Sequence, residues 1–189
     1  MKAFTLITLC IASILHGEPP KEDSTWEYFT TLTTPSKDNI SVRIITGPWD
    51  PTVHLIETKK DGAWKEIPFS ADLSSEQTYR IDGRESIWGA DGFGWPDREV
   101  KLFVIRWGEK VINVPQKHWR DYYWLLLYTQ EETRKDSDIG GCWTHVRFDE
   151  ATQRLIIVSN GGGGAGWYEV SWTVSQEGII TDSASSKGE

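Results

Sequence analysis

The stretch that decides the fold is Arg154–Val174, RLIIVSNGGGGAGWYEVSWTV. In its second half, apolar residues occupy every other position: Tyr168, Val170, Trp172 and Val174. A period of two is typical of a β-strand with one apolar and one polar face. The first half, Leu155–Val158, is a short run rich in branched residues and predicts a buried strand. Because the intervening glycines can adopt backbone angles closed to other residues, we interpret the whole stretch as a β-hairpin.

Outside this hairpin, short alternating or apolar segments are separated by turn sequences, without strand–helix alternation or an internal repeat. Asp61-Gly62 and Gly108-Glu109 each lie between two such segments and predict further hairpins. The run Tyr122–Thr129, YYWLLLYT, has the length of a central strand packed on both faces, and a short buried helix is the alternative. The pattern predicts about nine or ten strands in a single-domain antiparallel β-sandwich, with a closed β-barrel as the alternative.

The first 17 residues resemble a cleaved export signal. Lys2 supplies a positive charge, and the apolar run Ala3–Leu15 is too short to span a bilayer, which takes about 20 residues. Gly17 offers a small residue at the cleavage point. We therefore expect a signal peptide at 1–17, a flexible leader at 18–25, an all-β domain at 26–182 and a disordered tail at 183–189. The mature chain would be secreted or periplasmic, without membrane insertion after cleavage.

The charge and cysteine content exclude several classes of function. The formal net charge is -8 and the isoelectric point is near 5.1, so no basic surface is available for nucleic acid or for anionic lipid. After removal of the signal, Cys142 is the one remaining cysteine. An intrachain disulfide is then impossible, and we expect Cys142 to be a small buried residue beside Gly140-Gly141.

The sequence contains no motif for cofactor binding, metal binding or catalysis in the structural context that such a motif needs. Gly161, Gly163 and Gly166 match G-x-G-x-x-G, but a strand follows them where a dinucleotide site needs a helix. The histidines are far apart in the chain and form no paired motif for a metal. No serine nucleophile motif is present. We therefore assign no catalytic, cofactor-binding or metal-binding residue from the sequence.

Tryptophan is the unusual feature of the composition, with 11 residues. Two of them lie in the glycine-rich segment Gly83–Arg98, close to two aspartates. Indole rings flanked by carboxylates suit sugar rings, because the CH faces pack on the ring while the hydroxyls find acceptors. The candidate ligand-binding residues are Trp88, Asp91, Trp95, Asp97, Trp119 and Trp167. The alternative is that these rings cover the open ends of the sandwich.

Three functions compete at this point. The leading one is an exported, non-enzymatic β-domain that binds a glycan or an exported protein, with the glycan preferred. The second is a glycan hydrolase that uses two carboxylates from Asp91, Asp97 and Glu99, since such enzymes place two carboxyl groups about 5–10 Å apart. The third is an envelope-associated structural protein whose tryptophans serve only for packing.

Overall fold

The computed structural model describes residues 25–69, 78–85, 95–96, 98–123, 125, 127, 143–161 and 167–186. These residues contain eleven β-strands and two single-turn 3-10 helices, Pro51–Val53 and Gln116–His118. The strands are β1 Trp26–Thr33, β2 Asn39–Pro48, β3 Ile56–Lys60, β4 Ala63–Glu66, β5 Tyr79–Ile81, β6 Arg98–Trp107, β7 Lys110–Asn113, β8 Thr144–Asp149, β9 Arg154–Gly161, β10 Tyr168–Ser175 and β11 Ile180–Ser186. Neither helical turn is long enough to cross a membrane.

Three antiparallel sheets are built from these strands. The first sheet has the order β1-β2-β6-β7, the second sheet β11-β10-β9-β8, and the small sheet β4-β3-β5. The first and second sheets share one apolar core, in which Phe103 meets Trp172 at 5.1 Å and Trp107 meets Phe148 at 5.8 Å, both edge to face. None of the three sheets formed by the described residues closes on itself, so the sandwich prediction is confirmed and the barrel alternative is wrong.

The hairpin predicted from the opening stretch is β9–β10, with Leu155 opposite Val174 and Gly161 opposite Tyr168. All four alternating apolar residues of β10 are completely buried. Gly161 belongs to β9. Close packing requires a glycine at this position, because a Cβ here would lie 2.3 Å from the Tyr168 ring. The rest of the glycine cluster, 162–166, lies outside the described residues.

The predicted central strand Tyr122–Thr129 is only partly described, because residues 124, 126, 128 and 129 lie outside the described residues. Leu125 forms an isolated bridge with Gly161, while Tyr122 belongs to the main core and Tyr123 to a second one. One segment differs from its prediction. At the other end of the domain, β11 continues through residues 183–186, which were predicted as tail, because they pair with β10.

The second core lies beneath the small sheet and positions the candidate site. Its buried members are Trp49, Ile56, Ile81 and Tyr123, and Ile67, Tyr79 and Trp95 pack against them. The strands β3 to β5 are formed by chain that leaves the first sheet after β2 and returns at β6. The Asp61-Gly62 turn predicted between β3 and β4 is present, with φ of 53° and 79° at the two residues.

Candidate functional site

Four aromatic rings and one imidazole gather beside the small sheet. We call Trp49, Phe69, Tyr79 and Trp95 the aromatic cluster. Trp49 stacks on Trp95 at a centroid distance of 6.0 Å and an interplanar angle of 14°. Phe69 contacts both indoles at 5.6 Å, and Tyr79 meets Trp95 edge to face at 5.9 Å. Because the rings touch one another, the cluster is packed rather than an open cage.

The chain after β2 brings His54 onto Trp49. Asp50 caps the 3-10 turn by accepting from the Thr52 backbone N–H at 3.0 Å and from its hydroxyl at 2.6 Å. The proline that follows Asp50 is suited to this first position, where no N–H donor is needed. The turn then returns the chain so that the His54 imidazole stacks on the Trp49 ring at 5.5 Å.

His54 joins two carboxylates that are distant in sequence. Its Nδ1 lies 2.8 Å from Asp82 Oδ2, and its Nε2 lies 3.1 Å from Glu99 Oε2. We call these three residues the His54 clamp. An imidazole protonated on both nitrogens donates to both carboxylates, whereas a neutral ring donates to only one. Since Asp82 follows β5 and Glu99 lies on β6, the clamp ties the small sheet to the sandwich.

The carboxylates of the clamp are occupied by donors within the protein. Asp82 Oδ1 accepts from the Leu55 backbone N–H at 2.9 Å, and Arg84 lies 3.9 Å from Oδ2. The other oxygen of Glu99, Oε1, pairs with Lys101. Burial raises the pKa of Asp82, but the hydrogen bonds from His54 and Leu55 and the charges of His54 and Arg84 outweigh burial and lower the pKa below the ordinary 3.8.

This shift predicts how acid weakens the domain. A carboxyl group whose pKa is lowered by folding contributes stability above its unfolded pKa, and the contribution is lost as the pH falls through the folded pKa. We therefore expect the free energy of unfolding to decrease below about pH 4, and we expect Asp82→Asn to have a shallower decrease than the wild type. Urea unfolding between pH 2 and pH 6 measures both slopes, and identical slopes would contradict the assignment.

A small cavity lies beside the clamp, with a volume of about 10 Å³. It offers room for roughly one water molecule. Its lining includes His54, Asp82, Arg84, Glu99, Trp119 and Tyr122. It is therefore too small for an organic ligand, and the described residues contain no group of histidine, cysteine and acidic side chains that could hold a metal ion.

The structure separates the residues that the sequence grouped as a ligand site. Trp95 lies in the aromatic cluster, whereas Trp119 packs against the main core and donates from its indole to the Val114 carbonyl at 2.9 Å. Trp167 precedes β10 in the second sheet and is half-buried. Trp88, Asp91 and Asp97 lie outside the described residues, so their assignment stays a prediction.

Trp49, His54, Phe69 and Asp82 were not predicted as members of this site. The sequence pattern assigned no role to Trp49, and the histidines were considered only as metal ligands. One local signal was available: Asp50-Pro51 is a helix-start sequence, and it places His54 close behind Trp49. The pairing of His54 with Asp82 and Glu99 spans 28 and 45 residues and leaves no local pattern.

Exposed apolar side chains accompany the aromatic cluster. Phe69 is 46% exposed while it contacts both indoles, and Val53 and Leu55, on either side of His54, are 69% and 46% exposed. They are three of the six large hydrophobic side chains that are exposed in the described residues. The buried indole N–H of Trp49 also has no acceptor among the described residues. Such an orphan donor costs about 1–3 kcal/mol.

Comparisons of this chain with protein-family models, with curated proteins and with solved structures find no match.

Proposed function

We propose that this domain is an exported binding module, and that another exported protein docks on the face formed by the aromatic cluster, Val53 and Leu55. We call this surface the docking face. The observation that carries the proposal is the exposure of Val53, Leu55 and Phe69 beside a packed pair of tryptophans. Exposed apolar groups gain free energy when a partner removes them from water, at about 25 cal/mol per Å². Aromatic residues backed by a rigid core are also the usual anchors of protein interfaces.

A protein partner suits this face better than a glycan does. Sugar hydroxyls need free acceptors next to the ring, and the four carboxylate oxygens of Asp82 and Glu99 are occupied by His54, Leu55 and Lys101. Aliphatic Val53 and Leu55 offer sugar hydroxyls no partner at all. The glycan preference therefore depends on Asp91 and Asp97, whose structure is not described.

The hydrolase alternative has less support than the binding module. Of its three carboxylates, Glu99 already pairs with Lys101 and His54, so both of its oxygens are occupied. The alternative therefore needs Asp91 and Asp97 to supply both catalytic groups.

Phe69 is the best residue with which to test the docking face. It is 46% exposed, and Phe29, on β1 of the first sheet, is 45% exposed and provides a matched control. Trp95→Ala would be a poorer test, because Trp95 contacts three other rings and its loss would disturb the fold.

We expect a photo-crosslinking phenylalanine analogue at position 69 to capture a discrete exported protein in the source organism, and the analogue at position 29 to capture none. With that partner purified, Phe69→Ala should weaken binding by about tenfold or more, whereas Phe29→Ala should change the Kd by less than about twofold. Equal crosslinking at both positions, or capture of polysaccharide at position 69, would overturn the proposal. Thermal melts of both variants show whether the fold is retained.

A further inference from the structure

A groove of about 420 Å³ lies at one end of the first sheet, away from the residues of the docking face. The β1–β2 turn and the β6–β7 turn meet at this end, where the Gly108 N–H donates to the Asn39 carbonyl at 2.8 Å. The lining of the groove includes five polar residues from three neighbouring strands, Thr31, Thr33, Asn39, Ser41 and Arg106, together with Leu32, Ile40 and Gly108. Its volume falls in the range of about 300–1,000 Å³ that is usual for small-molecule sites.

The strand register places the polar groups side by side. Thr31 pairs with Ser41, and Ser41 pairs with Arg106. Directly opposed residues on neighbouring strands have Cβ atoms about 4.5–5.5 Å apart, so the two hydroxyls and the guanidinium form one row across the sheet. Asn39 and Thr33 form the next row towards the turn. The groove thus carries two adjacent rows of polar side chains, while the side chains of alternate residues such as Ile40 and Ile105 are buried in the core.

Hydrogen-bond donors predominate in this groove. Asn39 Oδ1 already accepts from the Thr33 hydroxyl at 3.1 Å, which leaves the amide N–H groups of Asn39 for a ligand. Arg106 adds five N–H donors and a permanent positive charge. Among the described residues, no carboxylate forms an ion pair with Arg106. The turn residues Asp38 and Glu109 do not line the groove either.

From this arrangement we infer that the groove binds a hydroxylated carboxylate of the hexuronate class. The planar guanidinium of Arg106 receives the carboxylate with two parallel hydrogen bonds, a geometry that an arginine fork favours. Ser41, Thr31 and the Asn39 amide then contact the ring hydroxyls. A neutral hexose would form the hydroxyl contacts without the charged one, so recognition depends on the acid group. The site shares no residue with the docking face, and neither proposal depends on the other.

The test is isothermal titration of the purified domain with glucuronate and galacturonate, and with glucose as the neutral control. At low ionic strength we expect at least one uronate to bind with a Kd of about 1–10 mM and glucose to bind at least about tenfold more weakly. Arg106→Gln should weaken uronate binding by about tenfold or more. The matched control is Arg43→Gln, because Arg43 lies on β2 next to this groove but is already paired with Glu27 at 2.7 Å.

Ser41→Ala provides a second variant with a smaller expected loss of about threefold to fivefold. Equal affinity for glucose and for both uronates, equal losses in Arg106→Gln and Arg43→Gln, or no saturable binding of either uronate would each overturn the inference. Because Arg106 is exposed, its substitution should leave the melting temperature unchanged, and a thermal melt of each variant verifies this.

Discussion

Replacing Gly161 with alanine is expected to lower the free energy of unfolding by about 2–6 kcal/mol. The added Cβ would lie 2.3 Å from both Cζ and Oη of Tyr168, so this completely buried ring must move. Overpacking of this kind costs about 1–3 kcal/mol. Movement of the ring also removes its hydroxyl from the Tyr123 carbonyl, which it reaches at 2.6 Å. A buried acceptor left without a donor adds about 1–3 kcal/mol.

Urea unfolding followed by intrinsic fluorescence measures this loss, and Gly47→Ala is the matched control. Gly47 also lies in a strand, but a Cβ there would meet the flexible side chain of Lys101 at 3.2 Å. Tyr168→Phe keeps the ring and removes only the hydroxyl, so it isolates the hydrogen-bond part of the effect. If Gly161→Ala destabilised the domain no more than Gly47→Ala, the close approach of the Tyr168 ring would not be the reason why position 161 holds a glycine.

Replacing His54 with alanine is expected to lower the free energy of unfolding by about 2–4 kcal/mol. The substitution removes the donor shared by Asp82 and Glu99 and leaves two partly buried carboxylates facing each other. Breaking a fully buried charge pair costs about 3–5 kcal/mol. The expected value is smaller here because the Asp82 side chain is 33% exposed and water screens part of the repulsion.

The effect of His54→Ala should be visible at the tryptophans as well as in stability. His54 stacks on Trp49, and Trp49 stacks on Trp95. Two stacked indoles give an exciton couplet in the circular dichroism spectrum, and we expect this couplet to weaken in His54→Ala. His145→Ala is the control, because His145 also contacts a tryptophan, Trp143, at 6.4 Å. An unchanged couplet in His54→Ala would show that the clamp does not hold the aromatic cluster.

The sheets were predictable because strands and tight turns are encoded by residues that are neighbours in the sequence. The alternation over β10 involves residues adjacent in the chain, and so do the Asp61-Gly62 and Gly108-Glu109 turns. Continuous apolarity over Tyr122–Thr129 reports burial on all sides and not the backbone conformation. Tyr122 and Tyr123 belong to two different cores, which a single-core interpretation could not anticipate.

The candidate site was less predictable because its contacts join distant parts of the chain. The exposed Phe69 follows a strand and carries no motif, and it becomes notable only through its contacts with two indoles. The unpaired charge of Arg106 is likewise invisible until the positions of the carboxylates around it are known. In this protein, local patterns identify the framework, and the chemistry depends on which side chains the framework brings together.

The connection between β2 and β6 has a consequence for how this molecule could change over time. These strands are direct neighbours, with Gly47 opposite Glu99 and Pro48 opposite Arg98, so the chain departs and returns at almost the same point. Chain insertion is best tolerated where the two ends already meet. The segment between these strands therefore lies at a point where the chain can be lengthened or replaced while β2 and β6 keep their pairing.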